Sequence, residues 1–317
     1  MKTVLLTGAT GFVGQRLHPV LVAAGYDVLC GSRNPDKAAK RFPQRSWLQL
    51  NVDDPASVES ALKGVDGAIF LVHGLASGTG YEERERVAAE TFANLCAQAG
   101  VQRVVYLGGV EPMGVPSKHL ESRLATGRIL RAGKVPAIEL RAGMIIGHGS
   151  ESWQICRDLA VRLPFMLLPK WLDTVSEPVA IQDVLAACCH ALGSDVVAGA
   201  YDLPGPEQLS AKDILLRVAR LRGTATRTLR VPVLTPQLSS YWLKLVTGAD
   251  FQVAQQLVEG LTAELTSTGP RYWEHMSDFE VTPFDEAALR ALDAGRPSSR
   301  RVQVLERIMG LLAKKYG

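Results

Sequence analysis

Cysteine is scarce and unpatterned in this chain. Its 317 residues hold only Cys30, Cys96, Cys156, Cys188 and Cys189, with no Cys-x-x-Cys. An odd, irregular set is neither a disulfide framework nor a zinc pattern, and it suits a reducing, cytoplasmic setting. Charge of one sign is also lacking. There are 35 Lys and Arg against 32 Asp and Glu, a net charge of +3. A nucleic-acid-binding domain shows a stronger, more clustered excess, so no nucleic-acid partner is expected. No window reaches the roughly 18 consecutive apolar residues of a membrane span. The first apolar run, Val4-Leu5-Leu6, is too short for a signal-peptide core. The six histidines (His18, His73, His119, His148, His190 and His275) show no His-Glu-x-x-His spacing and no pairing with cysteine. No metal site is therefore expected. There is no Gly-x-Ser-x-Gly nucleophile elbow either.

What is present is ordinary globular composition, 47% hydrophobic and 21% charged, in a chain long enough to bury its own core. The first half alternates strand and helix. Strands are expected at 4–7, 28–30, 48–50, 68–72, 104–107 and 138–140, and helices at 12–24, 57–63, 82–99 and 120–132. Strands apolar on both faces, alternating with helices, indicate a parallel sheet covered on both sides. That is an α/β, Rossmann-type doubly wound architecture. The second half is broken by Pro164, Pro169, Pro178, Pro204, Pro206, Pro232 and Pro236. It reads as a smaller, mostly helical part, with helices expected at 151–162, 181–192, 211–221, 237–246, 252–265, 285–293 and 300–314. Residues 1–150 would form the nucleotide-binding core and 151–317 the substrate or partner part, with 175–205 returning to the core.

Thr7-Gly8-Ala9-Thr10-Gly11-Phe12-Val13-Gly14 follows the first strand and opens the first helix. Gly8 allows the sharp turn, Gly11 lets the backbone approach a pyrophosphate, and Gly14 lets helix and strand pack closely. The helix start adds free N–H groups and the positive dipole end. The context, a buried strand before and a helix after, is what makes such a motif a dinucleotide signature. Gly8, Thr10, Gly11, Phe12, Val13 and Gly14 are thus cofactor-binding candidates. An NAD site usually places an acid after the second strand. Here Ser32 and Arg33 stand there, and no acid appears before Asp36. A guanidinium binds phosphate bidentately and stacks on adenine, so NADP(H) is expected. Asp53 either reaches the adenine or caps the helix near Pro55.

These residues resemble the short-chain dehydrogenase/reductase superfamily, in particular its atypical, NmrA-like NAD(P)-binding branch. The likeness rests on Thr7–Gly14, Phe70-Leu71-Val72-His73-Gly74, Tyr81-Glu82-Glu83-Arg84, Val104-Val105-Tyr106-Leu107-Gly108-Gly109, Glu139-Leu140-Arg141-Ala142-Gly143-Met144-Ile145-Ile146-Gly147 and Pro178-Val179-Ala180-Ile181-Gln182-Asp183-Val184. It covers residues 1 to about 195, and 230–292 is similar to that group's C-terminal part. The resemblance implies a cofactor running past Val72, His73, Gly108, Gly143 and Ile145, with His73 equally able to satisfy a loop carbonyl instead. It also implies a Ser after the fifth strand and Tyr-x-x-x-Lys on the next helix. This chain has Gly108-Gly109 in place of the Ser and His119-x-x-x-Arg123 in place of the pair. Residues four apart share a helix face, so both can address one cofactor. His119 can donate a proton and Arg123 cannot exchange one. The other reading makes both of them surface residues beside a silent cofactor. Tyr106 and Tyr81 are phenols near the same edge, but neither has a lysine four residues on.

Tyr81, Arg141, Trp153 and Trp171 are candidate substrate-lining residues. Arg141 is equally an ion-pair partner, and for the tryptophans ordinary core packing is the leading alternative. Residues 296–315 combine an apolar stripe with Arg and Lys, which suits either peripheral contact with an anionic membrane or docking on the protein itself. The expected function is NADPH-dependent oxidoreductase, a reductase of a small apolar carbonyl or enone compound, with an atypical site lacking Ser-Tyr-Lys. The alternative is a catalytically silent NADP(H)-binding redox sensor, or an assembly or regulatory protein.

Overall fold

Capping residues and glycines punctuate the first half, and the elements form between them. The computed structural model describes residues 2–72, 80–162, 165–223, 227–231 and 264–294, with backbone alone for 161–171 and 227–231. The first eleven elements are β1 (Thr3–Leu6), α1 (Phe12–Ala23), β2 (Asp27–Ser32), α2 (Pro35–Arg41), β3 (Ser46–Gln49), α3 (Pro55–Ala61), β4 (Gly67–Phe70), α4 (Tyr81–Ala99), β5 (Arg103–Gly109), α5 (Lys118–Ala132) and β6 (Ala137–Ala142). Asn34 caps α2 by accepting from the Lys37 N–H at 2.9 Å, and Ser117 caps α5 by accepting from the Leu120 N–H at 3.3 Å. Each occupies a free donor at a helix start. The sequence reading omits α2. Only Ala38 of that helix is buried, so it has almost no apolar period to detect.

The chain continues with β7 (Ile145–Ile146), α6 (Glu151–Arg162), β8 (Phe165–Pro169), β9 (Val175–Ser176), β10 (Val179–Ala180), α7 (Ile181–Gly193), β11 (Gly199–Asp202), β12 (Leu209–Ser210), α8 (Ala211–Leu221), β13 (Arg227–Val231) and α9 (Phe284–Ala294). The main sheet has the order β11-β6-β5-β4-β1-β2-β3. Every pairing in it is parallel. The seventh strand, Gly-Ala-Tyr-Asp at β11, is missing from the sequence reading because its composition reads as a turn. Three further two-stranded pairings, β7 with β10, β8 with β13 and β9 with β12, make the second half less purely helical than its sequence suggests. The expected helices at 237–246 and 300–314 lie outside the described residues. So does most of 252–265, whose Leu265 instead bridges Ser176.

Two cores flank the sheet. On one face Leu17 and Leu21 of α1 meet Val184, Ala187 and Cys188 of α7 over Leu6, Ile69 and Ile138. On the other, Val58, Phe92, Cys96 and Leu130 cover Leu5, Phe70 and Val104. Each large side chain buried this way contributes about 1.5–3 kcal/mol. A third core joins α6, α8 and α9 around Trp153, Ile214 and Phe284. Buried carboxylates attach the last segment to the rest. Asp202 accepts from the Thr268 and Gly269 N–H groups at 3.1 and 2.8 Å, and Asp183 accepts from the Thr282 N–H at 2.9 Å. Among the described residues no helix is long and apolar enough to cross a membrane.

Candidate functional site

The sheet order reverses at β1, with β2 on one side and β4 on the other. In open parallel sheets the crevice at such a switch point, beyond the carboxyl ends of the strands, is where ligands bind. The glycine loop stands there. Gly8 has φ +60°, and a side chain on it would begin 3.0 Å from the Leu71 carbonyl. The Gly11 N–H donates to the Gly8 carbonyl at 2.9 Å, and Gly11 caps α1. A side chain at Gly14 would begin 2.4 Å from the Gly8 carbonyl oxygen, so α1 sits directly on the turn. Thr10 is exposed, while Phe12 and Val13 pack partly buried against the core. Thr7 adds a contact that spacing does not reveal. Its hydroxyl accepts from the Leu71 N–H at 2.8 Å and its own N–H donates to Ile69 at 3.0 Å, which ties β1 to the exit of β4.

The exit of β2 is open to solvent. Arg33 is exposed and Ser32 partly so, its Oγ accepting from the Asn34 N–H at 3.1 Å. Asp53 is exposed, and the cap of α3 is its neighbour Asp54, which accepts from the Ala56 N–H at 3.1 Å. The capping alternative for Asp53 therefore fails by one position. Val72 is partly buried against the core under α3 and α4. His73 lies outside the described residues. Among the described residues nothing stands within 4 Å of where a Gly143 side chain would begin, and Ile145 is half-buried on β7. Among the described residues, Arg33 and Asp53 are exposed and Gly143 has free space beside it at the strand exits.

The end of β5 explains the missing serine. A side chain at Gly108 would begin 3.0 Å from Glu139 Oε1, and one at Gly109 would begin 2.6 Å from Leu120 Cδ1. Gly109 makes room for α5, and Gly108 makes room for the Glu139 carboxylate of β6. Arg123 Nη2 donates to the Leu107 carbonyl at 3.0 Å, so its guanidinium is fixed at the tip of β5. Its Nε is buried and makes no hydrogen bond among the described residues. His119, one turn earlier on α5, feels the Arg123 charge. Tyr106 turns the other way. It is 2% exposed, its hydroxyl donates to the Arg123 carbonyl at 3.1 Å, and burial pushes it up to about 12. It is a strut beneath α5 rather than a phenol facing the edge.

Burial, then the charge of Arg123, lowers His119 from 6.5 to about 4. The imidazole is neutral near pH 7. The unfolded chain protonates first, so His119 leaves stability intact above pH about 6.5 and reduces it as pH falls toward 4. The loss should reach about 2–3 kcal/mol. Denaturant titrations at pH 7 and 4.5 should show this drop shrinking in His119→Gln. An unchanged drop would place His119 in solvent.

The remaining candidates separate. Tyr81 opens α4 and is partly buried. Trp153 has 0% exposure inside the third core, so it is a packing residue and not a lining one. The side chain of Trp171 and the basic stretch 296–315 lie outside the described residues. Arg141 forms ion pairs with Glu111 at 3.1 Å and Glu139 at 3.2 Å. Glu139 itself escaped the sequence reading, although a carboxylate inside the apolar run Ile138-Glu139-Leu140 was a visible signal. No group of three or more metal-ligating side chains occurs among the described residues.

Comparison with known proteins bears on this edge directly. Residues 8–133 match the NAD(P)H-binding family. This segment is an NAD(P)H-binding domain. The domain includes the glycine loop, the exits of β2, β4 and β5, and α5. Among curated proteins, a ketoreductase of Penicillium roqueforti is 26% identical over 129 residues, 36% of this chain and 38% of that protein. A dTDP-6-deoxy-L-talose 4-dehydrogenase (NAD(P)(+)) of Kitasatospora kifunensis is 25% identical over 186 residues, 50% of this chain and 58% of that protein. The matched stretch is thus well under two thirds of either relative. Among solved structures, the Citrobacter sp. triphenylmethane reductase complexed with NADP(H) superposes with a TM-score of 0.72 at 16% identity, covering 91% of this chain and 99% of that one. A nucleoside-diphosphate-sugar epimerase from Staphylococcus aureus gives 0.72 at 17%, covering 91% and 100%. The chain shares its fold with these reductase and epimerase structures.

Proposed function

We propose that this protein is an NADPH-dependent reductase of a small apolar carbonyl or enone compound. The observation that supports it is the placement of His119 and Arg123. Arg123 is fixed at the tip of β5 through Leu107, and α5 brings His119 to the same edge as the glycine loop. A dinucleotide would lie along the glycine loop and the strand exits. Gly8, Thr10, Gly11, Phe12, Val13 and Gly14 would hold the pyrophosphate, and Ser32 and Arg33 the 2′-phosphate. Asp53 would take the adenine, and Val72, Gly108, Gly143 and Ile145 the nicotinamide half. The orphaned Arg123 Nε suits a ribose or carbonyl oxygen. Bound NADPH would supply the hydride. The protein's part is to orient and to stabilise charge. Neutral His119 would donate a hydrogen bond to the oxygen that gains charge, and the proton would come from solvent. Residues 1–150 would hold the cofactor and 151–317 would face the substrate.

A second reading is a silent NADP(H)-binding sensor. It draws on the lack of Tyr-x-x-x-Lys and on the low proton affinity of His119. Nucleotide binding would act by favouring one conformation over another.

Titration with NADPH and NADH, followed by nucleotide fluorescence, should show NADPH preferred. Arg33→Ala should weaken NADPH roughly thirty-fold, the equivalent of about 2 kcal/mol for a charge-assisted contact, and leave NADH unchanged. With a panel of enones, quinones and aldehydes, His119→Ala should then lower kcat by roughly 10²-fold, as loss of one oxyanion donor does. Tight NADPH binding with no acceptor reduced would favour the sensor. Failure to bind either nucleotide would sink both readings.

A further inference from the structure

We propose that Arg141 is a specificity-determining residue of this site, that the group it takes is a carboxylate, and that Glu111 is the placeholder a ligand displaces. The claim that the ligand is a substrate rests on the reductase reading above; the anion site itself does not. Parallel register sets Arg141 beside Gly108, one strand spacing of about 4.8 Å away. It therefore stands at the same edge as Arg123 and His119.

The charges around Arg141 do not balance from within. Its side chain is 13% exposed. Behind it lies Glu139, 1% exposed, with Oε1 at 3.2 Å from Arg141 Nε but out of hydrogen-bond alignment. The other oxygen of Glu139 accepts from Arg131 Nε at 2.8 Å. One buried carboxylate thus faces two guanidiniums. Among the described residues, Glu111 supplies the rest through a single bond from Arg141 Nη1 at 3.1 Å. The Glu111 side chain is 60% exposed.

An ion pair with so exposed a partner contributes little and gives way readily. The guanidinium, by contrast, is held in place from behind and presents a planar fork. Such a fork takes a carboxylate through two parallel bonds. Glu111 already shows that a carboxylate fits. The loop that begins at Glu111 also carries Met113, 71% exposed, and Val115, 91% exposed. The ligand class is therefore an acid with an apolar body, and the substrate class a carbonyl compound that carries such an acid group.

Calorimetry with the full chain, with and without NADPH, can use sodium 4-phenylbutanoate and the uncharged 4-phenylbutanamide. The acid should bind at least ten-fold more tightly than the amide. Glu111→Gln should tighten the acid three-fold or more and leave the amide unchanged. Arg141→Gln should erase the difference, and Arg141→Lys should restore part of it. Acid and amide binding alike, or an acid preference that Glu111→Gln leaves untouched, would overturn the proposal. Competition by inorganic phosphate as strong as by the acid would overturn the carboxylate class. If Arg141→Gln does not fold, the wild-type comparison and Glu111→Gln still decide. NADPH binding without acid preference overturns this inference alone. Acid preference that depends on Arg141, without NADPH binding, supports it and overturns the reductase reading alone.

Discussion

Gly14→Ala should abolish dinucleotide binding and destabilise the protein by about 2–3 kcal/mol. The new methyl would lie 2.4 Å from the Gly8 carbonyl oxygen and 2.8 Å from Ala9 Cα. Both are backbone atoms, so no side-chain rotation relieves the contact. Helix α1 must move off the turn, and Leu17 and Leu21, both 0% exposed, move with it. Overpacking of this kind costs about 1–3 kcal/mol or more, and the helix gain of alanine over glycine offsets up to about 1. The same shift displaces the N–H groups at the start of α1, where a phosphate would bind. Thermal melts with and without NADPH check this. The variant should melt several degrees lower and lose the shift that NADPH gives the wild type. Gly114→Ala, outside the glycine loop, is the control, since among the described residues nothing stands within 4 Å of its added methyl. Wild-type melting and binding in Gly14→Ala would show that close helix–strand contact is not what the loop requires.

The second large effect belongs to Gly127 and Glu139. A methyl at Gly127 would lie 2.2 Å from Glu139 Oε1 and 2.3 Å from Cδ. Glu139 is held in place, because Arg131 Nε donates to its Oε2 at 2.8 Å and its side chain is buried. Gly127→Ala should therefore push α5 off the sheet and carry His119 and Arg123 with it. Glu139→Ala should cost about 3–5 kcal/mol, since it strands the 13% exposed Arg141. The double variant should be more stable than the sum of the two losses by 1 kcal/mol or more, because the clash and its partner vanish together. Denaturant unfolding of the four proteins measures the coupling. Strict additivity would mean that Gly127 and Glu139 do not meet.

Much of the molecule follows from local rules. Strand and helix alternation, the Gly8-x-x-Gly11-x-x-Gly14 spacing and the absence of an acid before Asp36 are visible in the chain because each depends on neighbours a few residues apart. Other features depend on residues distant in sequence, and only packing decides them. Gly108 needs Glu139, 31 positions on, to explain it. His119 has an ordinary imidazole in the sequence, and burial at the start of α5 beside Arg123 lowers it to about 4. Trp153 and Arg141 each had two readings. Full burial made one a core residue, and two carboxylates made the other an ion-pair centre. Spacing settles backbone geometry because backbone sterics are local, whereas burial and charge are set by the groups the fold brings in from elsewhere in the chain.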